Sequence, residues 1–402
     1  MEKSNFRGIE MGYSVSSWFV DQCADSAPTI RRIFTIAGSD YSDKVLGWPT
    51  ISSQWDNFQP NNITINLANE DKTFNFFKTA KTNLQAACAI KFGFTHPQSG
   101  DELLSIFNGS VSEATFRDGQ ISLRITDKIQ QLSDRLVGGA NSAAVFSSTT
   151  MLPSDIAWTA CTCYGGFSSV KSTSNPDIDY AAFQSWAAVF SSDTVLMHGR
   201  LTGAKVVDVL RRISQQTQSA AYVANNKLVF ARWSTINTEQ IINLSNDNIL
   251  SLGVSIRSDT VINKQVIEFA YNVTSRSWGS SVVAANTASV NSFGPRENLL
   301  RDDAVWYVSS ANALNMAQRS LFVSANPFDD VSVSTTLMPL YKTVGDMLSA
   351  NDQHLDISEG WRIMGMKIDL NSGLINININ GSQINTPFTL DVTSLDGTEA
   401  LL

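Results

Sequence analysis

In Ile375-Asn376-Ile377-Asn378-Ile379 an apolar residue stands at every second position without a break. Successive side chains of a strand point to opposite faces, so this pattern buries one face and wets the other. A helix would spread the same three isoleucines around its circumference. Ile63-Thr64-Ile65-Asn66-Leu67 repeats the pattern near the other end of the chain, and Ile121, Leu123 and Ile125 repeat it again. Strand-type segments also cover 31–37, 249–256, 261–271 and 331–339. The turns between strands carry their own chemistry. Asp118-Gly119 joins 111–117 to 120–125, and Asn225-Asn226 joins 221–223 to 227–232. Asn371-Ser372-Gly373 joins 361–370 to 374–380. Asp, Asn and Gly tolerate the positive φ that tight hairpin turns require. The asparagines of the last strand would form a cross-strand ladder on its polar face.

Helical periodicity is confined to a few places. The sequence predicts a short helix over 127–136, capped by Thr126 or Asp127 and stopped by Gly138-Gly139. A second helix, capped by Asp177 or Asp179, runs to about Phe190 through an aromatic-rich stretch. Val206, Val209, Leu210 and Ile213 mark an amphipathic helix within 203–218, and 309–325 reads as another. The Ser-, Gly- and Asn-rich stretch 275–296 reads as a long loop, 141–150 as a linker, and 387–402 as a poorly ordered tail.

A chain of 402 residues exceeds one ordinary core. The expected fold class is mainly β with α+β character: a segment 1–29, a strand-rich unit 30–139, a mixed α/β unit 140–245, a strand-rich unit 246–386 and the tail 387–402. No short-period repeat is visible. Apolar residues make up 43% and charged residues only 16%, below the usual quarter or so. The net charge of −8 argues against a general nucleic-acid binder. No apolar run is long enough to span a membrane, so no membrane insertion is expected. The first residues lack the order of a signal peptide, so the chain is expected to be made and kept, or assembled, in a cytosol. Four cysteines are too few for a disulfide framework at this length.

Reactive constellations are missing from the sequence. His96, His198 and His354 stand alone, with no metal-ligand spacing, and read as unrelated surface or loop histidines. Cys161-Thr162-Cys163 has no second pair, since Cys23 and Cys88 lie in other contexts. In a strand both of its thiols would share one face, and the pair reads as buried structural cysteine. Gly165-Gly166-Phe167-Ser168-Ser169 lacks the final glycine of a nucleophile elbow. No dinucleotide fingerprint or phosphate-loop lysine occurs. Asp302-Asp303 and Asp329-Asp330 are adjacent acids that would point apart in extended chain. The tryptophans read as core. No catalytic, cofactor-binding or metal residue is nominated, and the chain is expected to be a non-enzymatic building part without a cofactor. Low charge and abundant Ser, Thr and Asn suit subunit contacts. A carbohydrate-binding or glycan-degrading protein, with a Trp-lined cleft and paired carboxylates, is the alternative.

Three stretches resemble the tail hub proteins of bacteriophages. Trp48-Pro49-Thr50-Ile51 followed by 63–69 is similar to the opening strands of a tube-type barrel. Phe107-Asn108-Gly109-Ser110-Val111, with the Asp118-Gly119 hairpin and 121–127, resembles the segment that folds back across that barrel. Trp158-Thr159-Ala160-Cys161, Tyr164-Gly165-Gly166, Asn175-Pro176-Asp177-Ile178-Asp179-Tyr180 and Phe183-Gln184-Ser185-Trp186 are similar to part of the tail-tip proteins of siphophage-like particles. The resemblance spans about 30–385. It implies two tube-type β-barrel domains flanking the mixed unit. It also implies a homotrimer that presents six barrels to a six-fold tail tube, with DNA passing through without specific binding. Implied partners are the tail tube or distal tail protein and the tip or fibre proteins, and the implied location is the virion tail, assembled in host cytoplasm. A distal tail ring of six-fold form is the variant reading. An acidic lining would let a polyanion slide where a basic one would hold it.

Overall fold

Antiparallel pairing dominates the computed structural model of the chain. The structure describes residues 13–381 except 26, 56–57, 59–60, 99, 139–143, 146–150, 193–194, 202, 233–241, 246, 303–304 and 353–356. The first unit holds α1 (Ser17–Ala24), β1 (Ile30–Ile36), β2 (Ser39–Asp40), β3 (Val45–Gly47), β4 (Thr50–Gln54) and β5 (Asn62–Ala68). It continues with α2 (Phe76–Thr79), β6 (Ala87–His96), β7 (Gly100–Arg117), β8 (Gln120–Thr126) and α3 (Lys128–Asp134). The middle comprises β9 (Leu136–Val137), β10 (Ala144–Val145), α4 (Pro153–Thr159), α5 (Tyr180–Ser192) and β11 (Met197–Leu201). It ends with β12 (Ala204–Lys205), α6 (Val206–Thr217), β13 (Ser219–Ala224) and β14 (Lys227–Arg232). The last part runs through β15 (Ile242–Leu244), β16 (Ile249–Arg257), β17 (Lys264–Asn272), β18 (Ser277–Ala285), α7 (Thr287–Phe293) and β19 (Glu297–Leu300). There follow β20 (Val305–Tyr307), α8 (Ser310–Ser324), β21 (Phe328–Thr335), β22 (Met347–Asp352), β23 (Ile357–Asp369) and β24 (Leu374–Gly381).

Two seven-stranded sheets carry the fold. The first has the order β2-β1-β6-β7-β8-β5-β3. Its alternating strands meet face to face: Ile63, Ile65 and Leu67 of β5 lie opposite Ile125, Leu123 and Ile121 of β8, and all six are buried. The second has the order β15-β22-β23-β24-β21-β16, with β4 added alongside β23. In it Ile375, Ile377 and Ile379 of β24 are fully buried between β23 and β21. Each such side chain contributes about 1.5–3 kcal/mol relative to exposure. The asparagines between them do not form the expected ladder. Asn376, Asn378 and Asn380 lie opposite Lys367, Gly365 and Arg362 on one side and Ser334, Ser332 and Asp330 on the other.

The strand 50–54 joins the two sheets. Although it lies between β3 and β5 in sequence, it pairs antiparallel with β23, Ile51 opposite Ile368. The buried residues of both sheets form one continuous apolar core. A second core gathers α3 to α6, β17, β18, β20 and α8, from Ile129 and Leu132 to Met316 and Leu321. Among the described residues, the buried apolar side chains of 267–325 in this second core pack with those of the middle of the chain.

The turn and helix signals fall where the residues predict. Asp118 and Gly119 (φ +30° and +74°) close the β7–β8 hairpin. Asn225 and Asn226 (φ +49° and +61°) close β13–β14, and Gly373 (φ +71°) closes β23–β24. Asp127 caps α3, its carboxylate accepting from Ile129 N, and Asp179 caps α5, accepting from Ala182 N. Helix α3 ends at Asp134, four residues ahead of Gly138. The expected loop 275–296 is instead strand β18 and helix α7. Val282, Val283 and Ala284 pair along β17, while the Ser and Gly residues sit on an outer strand that tolerates them. Asn286 caps α7 by accepting from Ser289 N. Most of the linker 141–150 and the whole tail 387–402 lie outside the described residues.

Candidate assembly surface

Among the described residues, those singled out for chemistry do not converge. His96 rests against Trp18, with ring centroids 4.5 Å apart, and its Nδ1 accepts from Gln98 N. His198 is on β11, paired in register with Trp306, and His354 lies outside the described residues. Cys161-Thr162-Cys163 is not a strand. Residues 160–164 continue α4 as a wider helical turn, so Cys161 is buried while Cys163 is exposed. The helical period separates residues two apart onto different faces. Burial pushes the Cys161 thiol well above its ordinary pKa, the state of a packed hydrophobe. Asp302 pairs with Arg212 at 2.7 Å, and Asp303 lies outside the described residues. Asp329 and Asp330 take successive register positions on β21. Among the described residues no group of three or more His, Cys, Asp or Glu gathers around one point. Trp186 and Trp306 are buried, and Trp186 Nε1 donates to Ser219 Oγ at 2.8 Å.

The polar chemistry is concentrated at the joints. Asp127 Oδ2 accepts from Asn61 N at 3.0 Å, and Oδ1 accepts from Ile129 N at 3.0 Å. Asn61 Nδ2 in turn donates to Ser52 O on the crossing strand β4. This chain of bonds fixes β8, α3 and β4 around a cavity of about 60 Å³, bounded also by Tyr13, Ser105 and Asn225. Burial raises the Asp127 carboxyl from its ordinary 3.8 to about 6, against the opposing pull of its backbone donors. Tyr13 OH donates to Ser105 O at 3.0 Å, and burial raises its pKa as well. A second joint lies at the β23–β24 turn. Asn371 Nδ2 donates to Trp48 O at 2.7 Å and its Oδ1 accepts from Trp48 N at 3.2 Å. Arg32 Nη2 donates to Asn371 O at 3.3 Å. Burial lowers the Arg32 pKa, partly offset by Asp369.

Large apolar side chains are exposed on several outer strands. Leu46 is exposed on β3, at the end of the first sheet. Leu250 and Val254 are exposed on β16, at the end of the second. Val283 of β18 and Leu299 of β19 are exposed on either side of Val266, which pairs with both. Soluble proteins normally blunt a long outer strand with charge, proline or a covering element. Strand β16 has nine residues and a single charged one, Arg257. Sequence reasoning did not single out these residues, because only the strand order reveals which strands are outermost.

No family model matches the chain, and no curated protein matches it. Solved structures do. The tail protein from Neisseria meningitidis MC58 is 12% identical, with a TM-score of 0.56 over 88% of this chain and 97% of that one. The chain has the fold of phage tail proteins. The 43 kDa tail protein of prophage MuSo2 from Shewanella oneidensis is 13% identical, with a TM-score of 0.51 over 87% and 98% of the two chains. The prophage tail protein gp18 from Listeria monocytogenes is 13% identical, with a TM-score of 0.52 over 88% and 94%. The strand-rich architecture expected from the alternating segments is the architecture of these proteins. The stretch 48–51 has a different place from the one its resemblance implied: the strand beginning at Thr50 belongs to the second sheet.

Proposed function

We propose that the chain is a structural protein of a phage-type tail: a hub that closes the end of the tail tube as a trimeric ring and links it to the tip or fibre. The observation that supports this reading is the likeness in fold to phage and prophage tail proteins, over 87–88% of this chain and 94–98% of theirs. Two curled sheets in each of three copies would supply six tube-like elements to a six-fold tube. The exposed apolar residues Leu46, Val283 and Leu299 are the kind of surface that a neighbouring subunit covers. The acidic net charge suits a duct through which DNA passes without being held. The protein acts by shape and without a cofactor or turnover, in the virion tail, after assembly in host cytoplasm. Its neighbours are the tube or distal tail protein and the tip or fibre proteins.

Mass in solution and electron microscopy test the proposal together. The expected result is a species of three times 43.9 kDa that forms rings with a central opening. A monomer at the highest soluble concentration, or a six-membered ring, overturns the trimeric hub. Hydrolysis of a bacterial surface glycan by the purified chain overturns the non-enzymatic role.

A further inference from the structure

Where the end of helix α6 meets the three-stranded sheet β18-β17-β19 and helix α8, the structure holds a cavity of about 380 Å³. That volume lies within the range of small-molecule pockets. The polar lining is almost wholly carboxamide: Gln215, Gln216 and Gln218 at the end of α6, Gln265 on β17 and Asn298 on β19, with Ser320 of α8 beside them. The apolar lining is aliphatic, from Ile267, Leu300 and Met316. Among the described residues that line the cavity, none is charged and none is aromatic.

The carboxamides are of two kinds. Gln265 is 1% exposed. Its Nε2 donates to Val266 O and to Asn298 O, both at 3.1 Å. Its Oε1 accepts from Asn298 Nδ2 at 3.0 Å and from Ser320 Oγ at 3.3 Å. A carboxamide has two protons to donate and two positions to accept at, so Gln265 is saturated and holds Asn298 and Ser320 in place. Gln216 is buried and also engaged: its Nε2 donates to Val305 O, and its backbone O accepts from Tyr307 OH. The remaining amides are not saturated. Asn298 gives one proton to Gln265, and Gln218 gives one to Ser320 Oγ at 3.4 Å. Each keeps a second proton and its carboxamide oxygen. Asn298 and Gln215 are exposed and Gln218 is half-buried, so a ligand in the cavity can reach all three.

We propose that this cavity binds a neutral saccharide. A carboxamide sets a donor beside an acceptor, which matches two neighbouring hydroxyls or an acetamido group. The aliphatic side chains suit the C–H face of a sugar ring, with the few polar groups fixing its orientation. Charged ligands are disfavoured on two counts. The described lining offers no counter-charge, and the C-terminal end of α6 carries partial negative charge that repels a phosphate or carboxylate. A nucleobase finds no aromatic ring to stack on among these residues. Glycosidic cleavage needs a pair of carboxylates, and the described lining has none, so the sugar is held and not cut. Binding there does not require the trimeric ring.

Saturation-transfer nuclear magnetic resonance on the full-length chain tests it. The neutral probes are maltotriose and the trimer of N-acetylglucosamine, each at about 10 mM. Trigalacturonate and N-acetyl-triglycine amide serve as acidic and peptide probes. At least one neutral sugar is expected to bind, to be recovered whole, and to lose affinity by about fivefold or more in Gln218→Ala and in Asn298→Ala. Asn298→Ala also releases the buried Gln265, so Gln218→Ala is the variant that decides should the other fail to fold. No saturation transfer to either neutral sugar overturns the proposal. Sugar binding that is unchanged in Gln218→Ala, with far-ultraviolet circular dichroism intact, places the sugar elsewhere and overturns it as well. Tighter binding of trigalacturonate or of the peptide than of both neutral sugars overturns it in favour of an anionic or a backbone ligand.

Discussion

The two large sheets do the same architectural work by different means. Each contains one long strand that changes partners along its length. In the first sheet, β7 pairs with β6 up to Ser110 and with β8 from there on, through bulges near Ile106 and Ser112. In the second, β23 pairs with β22 along 357–362, then with β24 and β4, through a bulge near Met364. Both bends fall near a glycine, but the surroundings differ. A Cβ on Gly109 would lie 2.3 Å from the carbonyl oxygen of Thr126, a backbone atom that cannot swing aside. A Cβ on Gly365 would meet nothing closer than 3.6 Å. The first sheet is locked by close backbone approach. The second holds its shape by taking in a strand from elsewhere, Thr50–Gln54. Similar curled sheets thus rest on a local constraint in one case and a long-range one in the other.

The largest effect expected from this contrast is at Gly109. Gly109→Ala should cost about 3 kcal/mol or more, because the β7–β8 ladder must separate to admit the methyl group. Denaturant unfolding measures it. A loss below about 1 kcal/mol would show that the first bend has slack and would erase the difference between the sheets.

Next comes the strand that crosses between them. Ile51 is buried in the core common to both sheets, opposite Ile368. Ile51→Ala should cost about 2–4 kcal/mol. The informative readout is hydrogen exchange in both sheets. If the core is one cooperative body, amides of β5 and β24 accelerate together, although β5 lies in the other sheet. Acceleration confined to the second sheet would mean that β4 is a graft on an independent unit.

The alternation of Ile63 to Leu67 and of Ile375 to Ile379 carries its own evidence, because period two is a property of neighbouring residues. The same holds for Asp118-Gly119, Asn225-Asn226 and the cap Asp127. The destination of Thr50-Ile51-Ser52-Ser53 is a different matter. Its pattern suits either sheet, and only the partners Ile368 and Met366, over three hundred residues away, decide. Ser275 to Arg296 misleads for a related reason: an outer strand with one solvated face has the composition of a loop. The assembly surface was least legible of all. Leu250 and Val254 look like any core residues of a strand until the strand order places β16 last.

Asp127 sharpens the comparison at the joint between first sheet, crossing strand and helix α3. Its carboxyl is raised to about 6, so the folded protein binds the proton more tightly than the unfolded chain does. Stability from this group is fully present below about pH 4 and is lost as pH rises through 6. Asp127→Asn keeps an acceptor for Ile129 N but loses the bond from Asn61 N. The variant should therefore be less stable than the parent at pH 4, and the gap should narrow by roughly 1.5–3 kcal/mol on going to pH 7. Paired denaturant titrations at the two pH values measure it. A gap independent of pH would mean that Asp127 is already ionised at no cost, and that the joint is wetter than its burial indicates.

The smallest effect tests the comparison from its permissive side. Gly365 sits at the bulge of β23, where an added methyl group would touch Asn378 Cβ at 3.6 Å and Ser53 O at 3.7 Å, both ordinary contacts. Its φ is not among the positive ones, so alanine meets no backbone penalty. Gly→Ala at a compatible position reduces the freedom of the unfolded chain and stabilises by about 0.4–1 kcal/mol. Gly365→Ala should therefore leave stability unchanged or raise it slightly, while the same change at Gly109 is severe. A loss of more than about 1 kcal/mol at Gly365 would show that β4 presses on β23 more closely than the 3.7 Å contact implies. The second bend would then depend on close approach as the first does, with the crossing strand as the element that enforces it.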